Sequence, residues 1–363
     1  MSSTPRFGLK TLTVLYAVMA MSSALRADVA WGKALQQAPA WYSSDEAAKL
    51  ADNLLAYQHS SGGWPKNTDM SLPPSAEFLA KHEKSVGTDH GPTIDNEATT
   101  TQLNFLAKII SERPEKRWLE SFNRGFDYLL KAQYPNGGWP QFFPLRGNYS
   151  DHITFNDNAT SNVMRVLRGA ITQDTAFKFV DETRRKQAAL AYQKAIDCIL
   201  KCQAIVGGKK TIWGAQHDEK TFALAAARKF EPVSLCSKES VGLIDILMDV
   251  EKPSPSIIEA VESAIAWLDK NKITGVRVDK VPMPDKPGST DKVVVSDPNA
   301  KPLWARFYEV PSFRPIFIGR DAIPRYSLAE IEHERRVGYG WYATEPNSLL
   351  DSRYPKWKKR LSH

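Results

Sequence analysis

A pair of motifs occurs twice in this chain and constrains the fold more than any other feature of the sequence. The corner GGWPKN at 62–67 is followed by TIDNEATT at 93–100, and GGWPQFFP at 137–144 is followed by FNDNAT at 155–160. A degraded third copy begins at residue 206 with VGGKKTIWGAQHDE and continues with SKESVGL. The chain therefore contains at least two, and in our interpretation three, copies of one structural unit.

The spacing of the copies indicates what each unit is. Trp64, Trp139 and Trp213 are 75 and 74 residues apart, a period compatible with one helical hairpin per repeat. Between the corners, apolar residues recur at spacings of three and four, as in helices with one buried face. Pro and Gly concentrate at the corners. The sequence predicts a mainly α protein, an (α/α)3 toroid of helical hairpins over about residues 40–270.

The last hundred residues have a different character. From Lys272 to about residue 320, short β-branched runs such as GVRVDK, KVVVSD and RPIFIG are divided by turn signals. This pattern predicts a small antiparallel β region over about 272–320, followed by a C-terminal helix and tail over 321–363. We expect residues 28–363 to form a single catalytic domain.

The N-terminus has the pattern of a secretory signal peptide over residues 1–27. Arg6 and Lys10 precede an apolar run from Thr11 to Ala20, and small residues follow. Because the run is short for a bilayer span, export is favoured over membrane anchoring. We expect a protein that is secreted or periplasmic, has no membrane contact after cleavage, and is monomeric.

Charge and motif content narrow the classes of partner. The net charge is +7 and falls to +4 without the leader, a small excess that is weakly consistent with a polyanionic ligand. The sequence has no Gly-rich phosphate loop, nucleophile elbow or zinc motif. Nucleotide-dependent chemistry and a nucleic-acid partner are therefore not expected.

Cysteines and histidines give weaker signals. Cys198 and Cys202 lie four residues apart on one predicted helix face, which favours buried packing, although a disulfide from one of them to Cys236 is allowed in an oxidising compartment. Four histidines lie near the repeat corners and are expected to be structural rather than catalytic: His59, His90, His152 and His217.

The repeated motifs place an aspartate before a helix-like run in each half, and we assign Asp95 and Asp157 to equivalent points of the two repeats. Two carboxylates related by a repeat suggest one shared site. The alternative is that each aspartate caps its helix, because Asp is a strong N-cap residue. The residue pattern alone leaves both interpretations open.

The ordered motifs resemble those of the family-ten pectate lyases. The segments that carry the resemblance are GGWPKN, DNEATTTQ, NGGWPQFFP, FNDNAT, ARKFEPVSL and FYEVPSFRPIFIGRD, between about Ala40 and Pro346. The resemblance implies an (α/α) toroid unrelated to the parallel β-helix lyases. It also implies a Ca²⁺-dependent enzyme that cleaves α-1,4-polygalacturonate by β-elimination.

The resemblance assigns roles to individual residues. It implies that Asp95 and Asp157 bind Ca²⁺, that Arg228 is the Brønsted base, and that Arg306 and Arg320 bind substrate carboxylates. Ca²⁺ prefers hard oxygen ligands, and neutralising the uronate carboxylate makes the C5 proton easier to remove. The arginine forks match carboxylates in two-point contacts. Lys66 in GGWPKN is a lesser candidate for a carboxylate contact.

Arginine is an unusual base because its guanidinium normally keeps its proton. Holding it neutral at pH ~9 costs roughly 5–6.5 kcal/mol, so the mechanism predicts an alkaline optimum. We expect nearby Ca²⁺ and other arginines to lower the pKa of Arg228. Without the resemblance, Arg228 would be interpreted as a solvated charge, and Arg306 and Arg320 as surface ion pairs to residues such as Glu309 or Asp321.

Two other functions stay open at this stage. A glycoside hydrolase on an (α/α) toroid, acting on a uronate-containing polysaccharide, would use a carboxylate pair as acid and base. A non-catalytic uronate-binding protein would keep the arginines without turnover. Only the lyase would give products with an unsaturated C4–C5 end.

Overall fold

The computed structural model describes residues 29–283, 285–286 and 288–362, so the predicted signal peptide at 1–27 lies outside the described residues. The helices are α1 (Asp45–Tyr57), α2 (Ala76–His82), α3 (Thr100–Glu112), α4 (Lys116–Ala132), α5 (Ala159–Thr172), α6 (Glu182–Cys202), α7 (Ser237–Met248), α8 (Pro255–Lys270), α9 (His333–Gly338), α10 (Glu345–Ser348) and α11 (Tyr354–Leu361). Helices dominate, which confirms the mainly α prediction. None of them, within this described part, is long and apolar enough to cross a membrane.

The strands are short except in one hairpin. They are β1 (Ile153–Thr154), β2 (Ile205–Val206), β3 (Lys209–Lys210), β4 (Gln216–His217), β5 (Leu224–Ala225), β6 (Leu235–Cys236), β7 (Val276–Pro282), β8 (Thr290–Ser296), β9 (Trp304–Ala305), β10 (Phe307–Tyr308), β11 (Pro315–Ile318), β12 (Pro324–Arg325) and β13 (Tyr342–Ala343). All strand pairs are antiparallel.

The described residues fall into two compact units between which the chain passes more than once. The first contains the residues up to Thr93 together with Ala98–Tyr128 and Gln173–Val180, and in it α1 packs against α3. The second contains Ile94–Glu97, Leu129–Thr172 and the residues from Asp181 onward. In the second unit, α5 packs against α6 and α7 packs against α8.

All three predicted repeats bury their tryptophan in the same way. Trp64, Trp139 and Trp213 are fully buried. Each indole N–H donates to a carbonyl in the preceding helix, at Leu54, Leu129 and Ile199, over 2.8, 2.8 and 2.7 Å. A buried indole needs such a partner for its N–H. The shared contact confirms that the degraded segment from residue 206 is a third copy.

A glutamine after the first helix of each repeat provides a second shared contact. The amide nitrogens of Gln58, Gln133 and Gln203 each donate to two carbonyls, one in the following corner and one in a helix further along the chain. The acceptors are Gly62 and Ser121, Gly137 and Ala191, and Thr211 and Ala260 respectively. Each glutamine therefore ties the end of one helix to α4, α6 or α8.

The first glycine of each GGW corner is required by its backbone. Gly62 and Gly137 have φ of +103° and +96°, a region that side chains rarely adopt. A side chain at these positions would also collide with the backbone carbonyls of Arg124 and Lys194. The corner can therefore approach the neighbouring helix closely only because no Cβ is present.

Antiparallel strands are present after residue 272, where the sequence predicts a small β region. Strands β7 and β8 form a seven-residue hairpin, and β10 and β11 lie in a four-stranded sheet of order β12-β11-β10-β6. Strand β6 comes from the third repeat, far earlier in the chain. The sequence did not predict it, or β1, β4 and β5, because two-residue strands show too little alternation to be recognised.

The three cysteines are free and buried. Cys198 and Cys202 lie in α6, and Cys236 is the last residue of β6. The packing interpretation is confirmed for the α6 pair, and none of the three forms a disulfide.

Candidate active site

Two short 3-10 turns carry the predicted metal ligands. Asp95–Glu97 and Asn156–Asn158 both belong to the second unit and pack against each other. Asp95 is buried at 4% exposure, whereas the side chain of Asp157 is 32% exposed. The fold therefore brings the two aspartates onto adjacent turns, as a shared site requires.

The register of the two turns is fixed by a threonine in each repeat. The hydroxyl of Thr99 donates to the carbonyl of Thr93 over 2.8 Å, and that of Thr160 donates to Thr154 over 2.6 Å. Both bonds span six residues, so Thr99 and Thr160 occupy the same structural position.

This register corrects the predicted equivalence of the aspartates. Asn96 and Asp157 have nearly the same backbone conformation, with φ/ψ of 48°/43° and 48°/34°. Asp157 therefore matches Asn96, and Asn156 matches Asp95. The prediction was wrong by one residue, because both motifs contain the letters DN but at shifted positions relative to the following Ala-Thr.

The same turns concentrate unusual backbone. Asn96, Glu97, Thr99, Asp157 and Asn158 all have φ between 48° and 63°. Non-glycine residues rarely adopt this region, and where they do the strain clusters at functional sites. Thr99, rather than Asp95, precedes α3 as its N-cap residue. The helix-cap alternative is therefore wrong for Asp95.

A buried arginine lies behind Asp157. The Nη2 of Arg306 contacts Asp157 Oδ1 at 3.0 Å and Asn156 Oδ1 at 3.1 Å, and it forms an ion pair with Glu239. Asn156 in turn donates to Asp157 Oδ2 over 2.8 Å. Burial alone would lower the pKa of Arg306, but Glu239 and the other anionic groups outweigh it and the pKa is raised well above its usual value. Arg306 is thus fixed as a cation.

The position of Arg306 differs from that of an open carboxylate fork. Its residue exposure is 4%, and its guanidinium faces Asp157 and Glu239 rather than solvent. In this structure it orients a predicted metal ligand. Its direct contact with substrate stays a prediction.

Sequence reasoning missed Glu239, which is 1% exposed and accepts a hydrogen bond from the Cys236 thiol. Glu239 lies in the first turn of α7 in the degraded third copy. Aligning the three copies would have placed a carboxylate next to the two turns. The third repeat therefore contributes a charged residue to the same network.

Arg228 forms a two-point ion pair with Glu231. The distances are 2.9 Å from Nε to Oε2 and 2.6 Å from Nη2 to Oε1. These bonds raise the pKa of Arg228 above its usual value despite its burial. Burial would raise the pKa of Glu231, but the bonds from Arg228 outweigh it and the pKa is lowered. The carboxylate of Glu231 therefore opposes the lowering of the Arg228 pKa that we expect from Ca²⁺ and other arginines.

The ring of Phe230 lies close to three arginines, two of which, Arg228 and Arg320, were predicted from the sequence. The guanidiniums of Arg228, Arg320 and Arg335 lie 4.9, 5.0 and 4.3 Å from the ring centre of Phe230. Cations over an aromatic face are attracted by its quadrupole. Phe230 follows Arg228 by two residues, so the ARKFEP motif supplies both the ring and one of its cations.

Tyr339 joins this group to Arg306. Its ring centre is 4.8 Å from the guanidiniums of both Arg306 and Arg335, and its hydroxyl donates to Glu231 Oε1 over 3.2 Å. Burial raises the pKa of Tyr339, so its hydroxyl keeps its proton. The segment VGYGWY at 337–342 therefore supplies a residue of the candidate site, which the sequence pattern did not indicate.

Arg335 is a second residue that sequence reasoning missed. It is 5% exposed and donates from Nε to the carbonyl of Ile318 over 3.3 Å, while its Nη2 has no hydrogen-bond partner among the described residues. Burial lowers its pKa, and the nearby Arg320 lowers it further. The sequence pattern predicted only a C-terminal helix and tail over 321–363, and such a pattern does not distinguish a buried arginine from an exposed one.

Arg320 is exposed and pairs with Glu334 at 3.0 and 2.6 Å. The Asp321 and Glu309 partners considered from the sequence are not used: Asp321 pairs with Arg325. Lys66 lies in the first unit, in the loop after Trp64, and is partly exposed. The roles of Arg320 and Lys66 in substrate binding stay predictions.

Comparison with known proteins decides the family. The model of the pectic acid lyase family matches residues 58–350. The chain belongs to the family 10 pectate lyases. The solved family 10 polysaccharide lyase from Cellvibrio cellulosa is 31% identical to this lyase, with a TM-score of 0.72, and the match covers 86% of this chain and 93% of the other.

A mutant of the Cellvibrio cellulosa enzyme, solved in complex with trigalacturonic acid, gives the same identity and TM-score and is covered over 94% of its length. No curated protein matches the chain. The present protein is thus a polysaccharide lyase, and the strained turns and the arginine cluster lie within the segment that the family model matches.

Proposed function

We propose that this lyase is a Ca²⁺-dependent pectate lyase that cleaves α-1,4-polygalacturonate by β-elimination. The observation that carries the proposal is that two strained turns with aspartates, Asp95–Glu97 and Asn156–Asn158, lie in the same unit as a cluster of four arginines. These arginines are Arg228, Arg306, Arg320 and Arg335. The complex of the related enzyme with trigalacturonic acid supports an oligogalacturonide as the ligand. The same homology supports the (α/α) toroid arrangement, which we propose for this chain as well.

The donors on the two turns fit a hard cation. Asp95, Glu97 and Asp157 supply carboxylates, and Asn96 and Asn158 add amide oxygens, with no nitrogen or sulfur ligand on either turn. Such an all-oxygen set suits Ca²⁺. Asp157 keeps lone pairs for a cation while bonded to Arg306, because each carboxylate oxygen accepts more than one contact. Ca²⁺ bound to Asp95 and Asp157 would neutralise the uronate carboxylate and acidify the C5 proton.

The exposed arginines are the residues that would orient the substrate. Arg228 and Arg320 are about half exposed at their side chains and both lie over Phe230. The fork of Arg320 matches a uronate carboxylate in a two-point contact, whereas that of Arg228 is occupied by Glu231. We infer that Arg320 binds a sugar carboxylate next to the sugar on which Arg228 acts, while the buried Arg306 and Glu239 keep Asp157 in place.

We assign the proton abstraction to Arg228. In the elimination, the base takes the C5 proton, the electron pair forms the C4–C5 double bond, and the C4–O bond breaks with protonation of the leaving oxygen. The ion pair with Glu231 opposes this role, because it stabilises the charged guanidinium. Arg228 therefore acts as a base only when that pair is loosened, and the activity is confined to alkaline pH.

The decisive experiment follows ultraviolet absorbance of unsaturated uronides with polygalacturonate at alkaline pH, with Ca²⁺ and then with excess chelator. The proposal expects a rise that the chelator abolishes and Ca²⁺ restores. New reducing ends without this absorbance would instead identify hydrolysis. The absence of both signals would indicate a protein that binds uronate without turnover.

We also propose that the protein is exported by cleavage of residues 1–27 and acts as a monomer. Expression with the intact N-terminus, followed by N-terminal sequencing of the protein in the periplasmic and culture fractions, tests the cleavage. An uncleaved cytoplasmic protein would contradict it.

A further inference from the structure

A cluster of histidines in the first unit lies outside the acidic turns and arginines described above. His59 follows α1, His82 is the last residue of α2, and Glu83 comes directly after it. The two imidazole rings have centroids 3.7 Å apart and planes inclined at 32°. One ring nitrogen from each histidine and one oxygen of Glu83 lie within 4.8 Å of one another.

Both imidazoles are buried without well-formed protein hydrogen bonds. His59 is 1% exposed and His82 is 6% exposed. Among the described residues, none forms a hydrogen bond of good geometry with any of the four ring nitrogens, although backbone groups of His90 and Gln58 lie near His59 and His82 respectively. Buried polar groups in native proteins are nearly always satisfied, and leaving one unsatisfied costs about 1–3 kcal/mol. Two adjacent buried imidazoles without well-formed protein hydrogen bonds are therefore available to a ligand.

The charges around the cluster suit a cation. A neutral imidazole has a lone pair to donate to a metal, and Glu83 supplies the negative charge of the cluster. Glu83 is exposed, and its carboxylate accepts bonds from Ser60 N at 3.0 Å and Ser60 Oγ at 2.7 Å. These bonds orient the carboxylate and leave lone pairs free.

The cluster has an entry path. A cavity of about 350 Å³ is lined by residues that include Phe78, His82, Ser85 and His90. His82 is the member of the cluster that lines this cavity, so a fourth ligand can come from water. A metal-binding site of this kind keeps a tetrahedral arrangement with three or four protein ligands.

We propose that His59, His82 and Glu83 form a binding site for a divalent transition metal of the Zn²⁺ class. The donors are two imidazoles and one carboxylate, a set that suits Zn²⁺, Ni²⁺ or Cu²⁺ rather than Ca²⁺. Because a metal binds in the plane of an imidazole ring, one of the two inclined rings turns about its Cβ–Cγ bond on binding. This site is chemically distinct from the all-oxygen turns at Asp95 and Asp157.

The test is Zn²⁺ binding to the full-length protein after treatment with chelator and return to a buffer with excess Ca²⁺. Isothermal titration with ZnCl₂ should show one equivalent bound, and saturating Zn²⁺ should raise the Tm, because a ligand that binds only the folded state stabilises it. Glu83→Gln should weaken Zn²⁺ binding at least tenfold while the far-ultraviolet circular dichroism stays unchanged, since Glu83 is exposed. His59→Gln and His82→Gln should each abolish this tight binding of one equivalent of Zn²⁺, which we call the tight phase.

His333→Gln is the matched control, because His333 is partly exposed and lies outside the cluster. It should bind Zn²⁺ like the wild type. The described residues contain a second group of possible metal ligands, His152 with Asp218 and Glu219. The variant His152→Asn tests whether Zn²⁺ binds there instead. Loss of the tight phase in His152→Asn, wild-type binding in Glu83→Gln, or no binding to the wild type at tens of micromolar Zn²⁺ would each overturn the proposal.

Discussion

Glu231 holds Arg228 in a two-point ion pair, at 2.9 Å between Nε and Oε2 and 2.6 Å between Nη2 and Oε1. The pair sits beside Phe230, over which the guanidiniums of Arg228, Arg320 and Arg335 converge. The residue that we propose as the base is therefore stabilised in its charged form. This conflict gives the sharpest test of the proposed mechanism.

Glu231→Gln should move the ascending limb of the pH–rate profile to lower pH. The carboxylate raises the pKa of Arg228, so removing its charge lowers that pKa and increases the neutral fraction at any pH below it. If Arg228 is the base, the relative rate at pH 7–8 rises, and kcat measured by uronide absorbance over pH 7–11 detects the shift.

Arg228→Ala provides the control for that experiment and should abolish turnover while substrate binding is kept. A Glu231→Gln profile with reduced kcat at every pH and no shift would show that Glu231 only orients a charged Arg228. Arg228 would then lose its assignment as the base.

Arg306→Ala should destabilise the folded protein by about 3–5 kcal/mol. The change leaves the buried Glu239 without its cation, and an uncompensated buried charge is costly. Urea unfolding measures the loss. Arg314→Ala is the matched control, since Arg314 is exposed and stacks on Tyr326, and it should change stability by less than about 1 kcal/mol. Equal effects of the two changes would contradict the buried network.

Asp95→Ala and Asp157→Ala should each weaken Ca²⁺ binding at least tenfold and lower activity in parallel, with partial recovery at high Ca²⁺. The reason is the loss of one carboxylate from a hard-cation site. Titration of activity against free Ca²⁺ measures the effect. Asp197→Ala, on the exposed face of α6, should leave the titration unchanged, and an unchanged Asp157→Ala curve would remove Asp157 from the metal site.

Gln133→Leu should destabilise the protein by about 1–3 kcal/mol. The amide is the partner of the Gly137 carbonyl and adds a second bond to the Ala191 carbonyl, which keeps its intrahelical bond in α6. An acceptor left unpaired costs about 1–3 kcal/mol. Gln203→Leu should cost about as much, because its contacts are equivalent. Thermal or urea unfolding checks both, with Gln193→Leu on exposed α6 surface as the control. A near-zero change in the free energy of unfolding at either position would show that the glutamine there does not stabilise the fold.

His217 should make the protein acid-sensitive. Its Nε2 accepts from Gly214 N at 3.0 Å and its Nδ1 contacts Phe222 O at 2.8 Å, and burial lowers its pKa to about 4. The unfolded state binds the proton first as pH falls below about 6.5, so stability is lost between about pH 6.5 and about pH 4. The loss is about 3 kcal/mol.

The matching measurement is the unfolding free energy at pH 7 and at pH 4 for wild type, His217→Gln and the control His333→Gln. His217→Gln should lose less stability on acidification than the wild type does, and the control should behave like the wild type. Parallel pH curves for all three proteins would show that His217 does not titrate on unfolding.

The local pattern predicted the elements well. The period of the GGW corners predicted helical hairpins and a third copy. The period is visible in the sequence because each corner tryptophan is buried by the same contact, a hydrogen bond to a carbonyl near the end of the preceding helix. The β-branched runs after Lys272 predicted β7 and β8, because strand-forming residues between turn signals are also a local pattern. The one-residue error at Asp157 arose because register depends on the Thr160 hydroxyl bond, which a letter match does not show.

The sequence by itself determined the repeat, the helical class, the family and the residue types of the site, since periodicity and motif order are local properties. Only the tertiary structure decided which charges meet. Arg306 is 67 residues from Glu239 and 149 from Asp157 along the chain, and its burial depends on how those segments pack. Glu231 is only three residues from Arg228, yet whether the two side chains point toward each other is set by the turn between them and by Tyr339.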